Sequence, residues 1–525
     1  MKTTHTITAL FITLLGGVTH FVSAAEPSAP ASRPVIPKTW DDAAMAELEI
    51  PLANSSASPK QVPADFYYRI PVRPIHASYP VYHPDREPPG YFDQLRAKEP
   101  IVLWDDKGVR PALTTEADWI AAGKLVFDSP IGSGSGRIAA SMSTNLPVRD
   151  PRWYRDVSAP LTPEGILPFY RYVIRERGKV EVGILSCAMC HTRLMPDGSV
   201  ISGAQGNFPF GAVFARDFRD GDGLVEINRR LERQLYAAPW IQPDPQAGLG
   251  EMSLEQIALP HSVIPPGVVS RHRSSPMSPV QVPDLIGLKD RRYLDRTGLQ
   301  RHRGIVDLMR YAALNQGGDD LASYGGFVPA TAIPGQMPSP EQAAFGRYSD
   351  EQLYALALFA YSLKPPPNPN LPKTDEQKTL VNRGREIFMD SNHRCATCHK
   401  PPLYTNNKLT PARGFNAPEN HSEGTNLMSR SVGTDPTLAT RTRRGTGFYK
   451  VPSLLGLWYR GPFEHNGSCA TLEDWFNPAR TNDTYVPTGW KGPPFTKTRA
   501  VKGHEFGLDL SPEDKAALIA FLKTL

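Results

Sequence analysis

The chain has 525 residues, which is too long for one ordinary hydrophobic core and predicts about three domain-sized units. Its formal net charge is only +5 at pH 7 and the charges are dispersed, which argues against a nucleic-acid partner. Proline is overrepresented, with 53 residues or about twice its average usage, and it ends helices, so we expect long ordered loops around the short helices of a mainly α-helical protein.

Residues 1–25 predict a secretory signal peptide. Lys2 precedes a short apolar run, and small residues follow that run up to the expected cleavage near Ala24 or Ala25. The run is shorter than the about 20 apolar residues that span a bilayer, which argues against a membrane anchor. No later segment reaches spanning length, so we expect a periplasmic or secreted protein without a membrane span.

Four of the five cysteines lie in two C-x-x-C-H pentapeptides, at 187–191 and 395–399. Cysteines three residues apart share one face of a helical turn, where both sulfurs can bond to one porphyrin, and the histidine offers its imidazole to iron. The alternatives are a redox dithiol, a structural zinc site and structural disulfides. Two copies that are each followed by histidine disfavour the dithiol. The separation of the two pairs by about 200 residues disfavours zinc, and the strain of a two-residue ring disfavours disulfides. The pattern predicts two covalently bound c-type haems, and the fifth cysteine, Cys469, is expected to be a small buried hydrophobe. The residues that hold the haems are Cys187, Cys190, His191, Cys395, Cys398 and His399.

Three segments recur in the same order in both halves of the chain. A Gly-x-x-x-Phe segment precedes each C-x-x-C-H motif, a Val-Pro-x-Leu-x-Gly-Leu segment follows it, and an amphipathic helix closes each half. We therefore predict two haem domains, at 116–364 and 373–525, joined by a stiff proline-rich linker at 365–372. Residues 26–115 carry no motif, and we expect them to wrap around the first domain as a proline-rich extension. The recurring segments lie at 123–128 and 384–389, 282–288 and 451–457, and 349–363 and 511–525.

The order of these motifs resembles that of the bacterial di-haem cytochrome c peroxidase superfamily. The resemblance covers about 116–525, including the Phe-Glu-His-Asn-Gly-Ser segment at 463–468. Residues 461–467 and the proline-rich linker look closer to the rubber-oxygenase-like branch, whose members cleave polyisoprene with dioxygen, while related branches oxygenate unsaturated fatty acids. The resemblance implies two cytochrome c-like domains with one haem each. It also implies dioxygen or hydrogen peroxide as oxidant and a small periplasmic redox protein as a candidate partner.

A comparison of the two halves predicts which iron keeps an open coordination position. The segment before the last helix contains His504, and aligning its Phe-Gly pair with that of the first half places His504 opposite Ala343. Histidine can ligate iron and alanine cannot, so we expect His399 and His504 to bind the haem 2 iron on both sides. Haem 2 then moves electrons, whereas the haem 1 iron, bound by His191, stays open to an oxidant.

Three further residues keep alternatives to this ligand assignment open. His465 and Met428 are rival ligands for the haem 2 iron, and a methionine ligand would raise its potential. Met337 could close the haem 1 iron, which would undercut a catalytic role for that haem.

The far side of haem 1 is expected to carry the chemistry. Peroxidases of the superfamily place a glutamate over this haem, but no glutamate occurs between Gly304 and Pro340. Splitting hydrogen peroxide benefits from a positioned acid–base group, for which Asp319 is the candidate substitute. Leu308 and Tyr311 are expected to form an apolar far side that suits dioxygen and an apolar substrate.

These observations predict an exported di-haem oxidoreductase. It would activate dioxygen or peroxide at haem 1, use haem 2 as an electron relay and oxygenate an apolar organic substrate, small or polymeric. Two alternatives remain: a di-haem peroxidase that reduces hydrogen peroxide, and a non-catalytic di-haem electron-transfer cytochrome.

Overall fold

The computed structural model describes residues 34–130, 142–143, 147–183, 185–220, 235–270, 274–316, 321–329, 339–342, 346–421 and 426–525. The signal peptide predicted at 1–25 lies outside these ranges, as do Asp319, Met337 and Ala343. Within the described ranges, no helix is both long and apolar enough to cross a bilayer. Val35–Leu525 cluster as one unit by their backbone contacts, so both halves of the repeat belong to that unit.

Helices are the commonest regular elements among the described residues, and most of them are short, as the proline content predicts. Helices α1 to α16 are Asp42–Ala46, Ala64–Arg69, Tyr91–Ala97, Glu116–Asp128, Pro151–Asp156, Cys187–Cys190, Phe210–Arg219, Ala247–Gly250, Leu254–Ser262, Ile305–Gln316, Asp350–Ser362, Asp375–Met389, Cys395–Cys398, Thr437–Thr440, Leu472–Trp475 and Pro512–Lys523. Strands β1 to β14 are Pro59–Gln61, Ile75–His76, Ser78–Tyr82, Val102–Trp104, Met142–Ser143, Ile166–Glu176, Lys179–Gly183, Thr192–Leu194, Val200–Ser202, Val268–Val269, Val280–Gln281, Ala322–Tyr324, Leu409–Pro411 and Phe448–Lys450.

The same helix pair occurs once in each half, which confirms the predicted repeat. In the first half, α4 (Glu116–Asp128) packs against α11 (Asp350–Ser362), with the rings of Phe127 and Phe359 5.0 Å apart. In the second half, α12 (Asp375–Met389) packs against α16 (Pro512–Lys523), with Phe388 and Phe521 5.4 Å apart. A serine or threonine caps the first turn of all four helices by accepting a backbone N–H, which fixes where each begins.

A glycine lets the two helices of each pair approach closely. A side chain at Gly123 would collide with the carbonyl of Ala355, and one at Gly384 would collide with the carbonyl of Ala517. The recurring glycine of the sequence is therefore a packing requirement at equivalent helix crossings.

We expect Gly384→Ala to lower the free energy of unfolding by about 1–3 kcal/mol, since the added methyl group must push the two backbones apart. Urea unfolding followed by circular dichroism measures this loss. Gly304→Ala is the matched control, because a methyl group there has no atom within 4 Å. Equal stability of the two variants would contradict the close crossing.

The segment that follows each C-x-x-C-H motif also has the same conformation in both halves. Gly287 and Gly456 adopt left-handed conformations, with φ of 75° and 76°, and each begins a short 3-10 turn. The guanidinium groups of Arg291 and Arg460 then each donate to the carbonyl oxygens five and seven residues earlier. The two arginines thus fold equivalent loops back upon themselves.

A four-stranded antiparallel sheet precedes the first motif, and the sequence analysis did not predict it. Its strand order is β3-β6-β7-β5, with β6 (Ile166–Glu176) and β7 (Lys179–Gly183) forming a hairpin. Tyr172 and Val182 pair across this hairpin, and both are buried. In the first half, the last strand of this sheet precedes the motif. In the second half, α12 (Asp375–Met389) precedes the motif by a few residues.

The described part of the N-terminal extension, residues 34–115, contacts both halves. The Trp40 indole stacks on Tyr67 at 4.3 Å, and β1 pairs with β12 of the first half. The Ala53 N–H donates to the carbonyl of Gly445 at 2.9 Å in the second half. The extension therefore reaches beyond the first half, around which we expected it to wrap.

Candidate functional site

The two C-x-x-C-H motifs adopt the same local structure. Each forms a single helical turn, Cys187–Cys190 and Cys395–Cys398, and the backbone N–H of the following histidine donates to the first cysteine's carbonyl at 2.9 Å in both. Ser186 caps the first turn, whereas Arg394 precedes the second in a left-handed conformation. No disulfide links the five cysteines of the chain, all of which are described.

Each motif lines one of two large pockets of similar size. The first pocket, lined by the cysteines and histidine of 187–191, contains ≈ 1360 Å³ of empty space, including its open mouth. The second pocket, lined by those of 395–399, contains ≈ 1310 Å³ on the same basis. Most other lining side chains are apolar, which suits the flat apolar faces of a porphyrin.

The ring orientation of both motif histidines leaves one nitrogen for a metal. Nδ1 of His191 lies 3.0 Å from the carbonyl oxygen of Pro283, and Nδ1 of His399 lies 3.0 Å from that of Tyr404. A carbonyl oxygen accepts only from a protonated nitrogen, so Nε2 carries the lone pair. Burial lowers the pKa of His191 to about 4 and also lowers that of His399, so both imidazoles are neutral at pH 7, as a metal ligand must be.

The thiols of the motifs are unsuited to redox exchange. Burial raises the pKa of Cys187 to about 12 and that of Cys395 to about 11. A reactive dithiol or a thiolate metal site requires a lowered thiol pKa, so these values disfavour the dithiol alternative.

His504 faces the motif histidine of the second pocket. The ring centroids of His399 and His504 lie 6.1 Å apart. Two imidazoles on opposite sides of one metal have centroids about 6 Å apart, from bonds of about 2 Å and about 1 Å from nitrogen to centroid. Burial, followed by repulsion from His399, lowers the pKa of His504 to about 3, so this ring is also neutral. Its role as an iron ligand stays a prediction, and the spacing fits that role.

The backbone around His504 is held by a buried arginine. The guanidinium of Arg480, which is fully buried, donates to the carbonyls of Gly503 at 3.0 Å and His504 at 2.8 Å. The His504 N–H donates to Val432 at 2.6 Å, and the residue has a positive φ of 49°. These bonds fix the approach of the ring to the pocket.

The two rival ligands also lie near the second motif, but neither ring nor thioether is paired with His399. His465 lines the second pocket, but its Nδ1 lies against the carboxylate of Glu464. Sδ of Met428 lies 3.9 Å from Sγ of Cys398, and Met428 is absent from the pocket lining. His504 is the candidate whose ring is paired with His399.

The first pocket brings together the predicted residues of α10 (Ile305–Gln316) and His191. Leu308 and Tyr311 both line it, together with Ala312 and Asn315. The sequence analysis missed Asn315, although it lies seven residues after Leu308 and so on the same helix face. Among the described residues that line this pocket, His191 is the single histidine and none is a methionine.

Four basic side chains lie between the two pockets, where they line a smaller cavity with ≈ 420 Å³ of empty space. The sequence analysis missed this basic cluster, which consists of Arg291, Arg296, Lys450 and Arg460. Arg296 also lines both large pockets, as does Gln281. Burial, with repulsion from Arg460, lowers the pKa of Arg296 to about 9. Haem carries two carboxylates on one edge, so the cluster and the apolar pockets together fit that group.

Comparison with known proteins gives no family assignment. No protein-family model matches the chain. An uncharacterized protein, y4iJ of Sinorhizobium fredii, is 34% identical over 15% of this chain, and the match spans only 18% of that protein's length. Hydrazine synthase of Kuenenia stuttgartiensis matches 56% of this chain and 85% of its own at 15% identity, with a TM-score of 0.28. A MauG-like protein associated with microbial copper homeostasis matches 57% of this chain and 87% of its own at 16% identity, with a TM-score of 0.29. TM-scores this low do not establish a shared fold.

Proposed function

We propose that the chain is an exported di-haem c-type oxidoreductase that activates dioxygen at the haem of the first pocket. The haem of the second pocket would relay electrons. The observation that carries this proposal is an asymmetry between two otherwise matched pockets. His504 stands 6.1 Å from His399 in the second, whereas the described lining of the first contains no second histidine and no methionine. A c-type haem with one histidine ligand supplies an iron position at which an oxidant can bind.

The residues of the first pocket support the binding of an apolar substrate. Pro283 holds His191 in one tautomer, so its lone pair points away from the Pro283 carbonyl. Leu308 and Ala312 line the same pocket and would exclude water from the reacting groups. Tyr311 lines this pocket as well, on the same helix as Leu308 and Ala312.

The acid–base chemistry of the first pocket favours oxygenation over peroxide splitting. Its one lining carboxylate among the described residues belongs to Asp295. That group accepts from the backbone N–H groups of Leu299 at 3.0 Å and Gln300 at 2.9 Å, and from the Thr297 hydroxyl at 3.1 Å. A carboxylate engaged in this way organises its loop and is poorly suited to deliver protons.

The proposal predicts that the holoprotein carries two covalent haems and binds one carbon monoxide per chain when reduced. Incubation with labelled dioxygen and either polyisoprene or oleate is expected to give products that contain the label, identified by mass spectrometry. A parallel reaction with hydrogen peroxide and reduced cytochrome c tests the peroxidase alternative.

Three outcomes would overturn parts of this proposal. If neither ferrous haem binds carbon monoxide, the protein is an electron carrier. If peroxide drives oxidation of cytochrome c while no labelled product forms, it is a peroxidase. If covalent haem is missing from both motifs, the cofactor assignment is wrong.

A further inference from the structure

We propose that the basic cluster is one carboxylate site shared by both pockets, in which Arg296 bridges a propionate of one haem to a propionate of the other. This inference rests on the proposed function, because it requires haem in both pockets. It names Arg296 as a positioning residue that couples the two redox centres.

Arg296 is the member of the cluster whose side chain has no hydrogen-bond partner among the described residues. Arg291 and Arg460 donate to loop carbonyls, and Nζ of Lys450 donates to Tyr293 at 3.2 Å and Leu294 at 2.9 Å. The Arg296 guanidinium makes no hydrogen bond or ion pair with any described residue, and its Nε is buried without a partner. Its remaining accessible surface faces the pockets that it lines. An arginine in this state lacks a counter-anion among the residues that the structure describes.

The charges around the cavity between the pockets do not balance. Four basic side chains line it, but Asp284 is the single carboxylate among its described lining residues. Asp284 also accepts from the Tyr459 hydroxyl at 3.0 Å and lies 4.0 Å from Arg291, so it is already engaged. Enclosed positive charge of this size is costly unless an anion enters from outside the chain.

The internal repeat shows that this imbalance is peculiar to one position. The hairpin closed by Leu294 N–H and the Gln300 carbonyl at 3.2 Å corresponds to the one closed by Phe463 N–H and the Cys469 carbonyl at 2.6 Å. Counting along these hairpins makes Arg296 the counterpart of His465. Nδ1 of His465 lies against the carboxylate of Glu464, the residue before it. The residue before Arg296 is Asp295, whose carboxylate instead accepts hydrogen bonds from backbone N–H groups.

The location of Arg296 identifies the missing anion as a haem carboxylate. The two large pockets are mainly apolar, and Arg296 is one of two residues, with Gln281, that line both of them. A porphyrin in either pocket must place its pair of propionates at a polar edge, and this edge is common to both. A fixed cation there stabilises the ferrous form of each haem, because reduction adds a negative charge.

The test compares Arg296→Gln with Arg292→Gln in the purified holoprotein. Both changes remove one positive charge, but Arg292 is exposed and lines none of the three cavities. Arg296→Gln is expected to retain two haems and to lower both midpoint potentials. The expected shift is about tenfold in each ferric–ferrous equilibrium, or about 59 mV for one electron. Arg292→Gln is expected to move neither potential.

Other outcomes separate this inference from the proposed function. Unchanged potentials in Arg296→Gln would overturn the shared site, and a shift at one haem alone would overturn the bridge. If the glutamine variant loses haem, Arg296→Lys keeps the charge with a different reach. In resonance Raman spectra of the lysine variant, the propionate-bending bands of both haems are expected to shift. Unchanged bands would overturn the shared site. Wild-type protein without two covalent haems would contradict the proposed function itself.

Discussion

A His504→Ala variant is expected to bind two molecules of carbon monoxide per chain in place of one. Removing the imidazole that stands 6.1 Å from His399 would leave the second iron with a single protein ligand. The absorption spectrum is then expected to change from one low-spin and one high-spin haem to two high-spin haems. Titration of the dithionite-reduced variant with carbon monoxide measures the stoichiometry.

His465→Ala and Met428→Leu are the matched controls for this prediction, because they remove the rival ligands. Both are expected to retain one low-spin haem and to bind one carbon monoxide. If His465→Ala behaves as we predict for His504→Ala, the sixth ligand is His465, and the ring spacing of His504 has another cause.

Replacing both cysteines of one motif is expected to remove one covalent haem and to abolish substrate oxidation. The double variant Cys187→Ala, Cys190→Ala would leave a haem that cannot bind an oxidant. The double variant Cys395→Ala, Cys398→Ala would leave the first haem without its electron relay. Intact-protein mass spectrometry counts the covalent haems, and the labelled-dioxygen reaction measures the loss of activity.

Cys469→Ala is the control for the cysteine variants. Cys469 is fully buried, and burial raises its thiol pKa to about 12, so it behaves as a small apolar side chain. This variant is expected to keep two haems and full activity. Two covalent haems in either double variant would contradict the attachment sites.

Features encoded in a few neighbouring residues could be predicted from the sequence. The local geometry of a C-x-x-C-H pentapeptide follows from its own residues, since one helical turn places the two cysteines on the same face. The helix that carries each Gly-x-x-x-Phe segment could also be predicted, because glycine is required wherever two helices cross this closely. His504 could be predicted to lie near His399 because the internal repeat supplied a reference, in which alanine stands where the second half has histidine.

Features that depend on contacts between distant segments could not be predicted. The basic cluster joins Arg291 and Arg296 to Lys450 and Arg460, more than 150 positions later, and each residue alone reads as a surface charge. The four-stranded sheet did carry a local signal, since β6 (Ile166–Glu176) is rich in apolar and aromatic residues and an Arg-Gly pair follows at the hairpin turn. The 11-residue length of β6 and the proline within it obscured that signal.

The path of the N-terminal extension has a consequence for how the protein is made. The Ala53 N–H bonds to Gly445, and Nε2 of His421 lies 2.6 Å from the Leu52 carbonyl, so an early segment depends on partners synthesised almost 400 residues later. The chain emerges from the ribosome with its N-terminus first, so residues 52–53 cannot bind those partners until most of the polypeptide has been synthesised. Final closure of the molecule is therefore a late event in its synthesis.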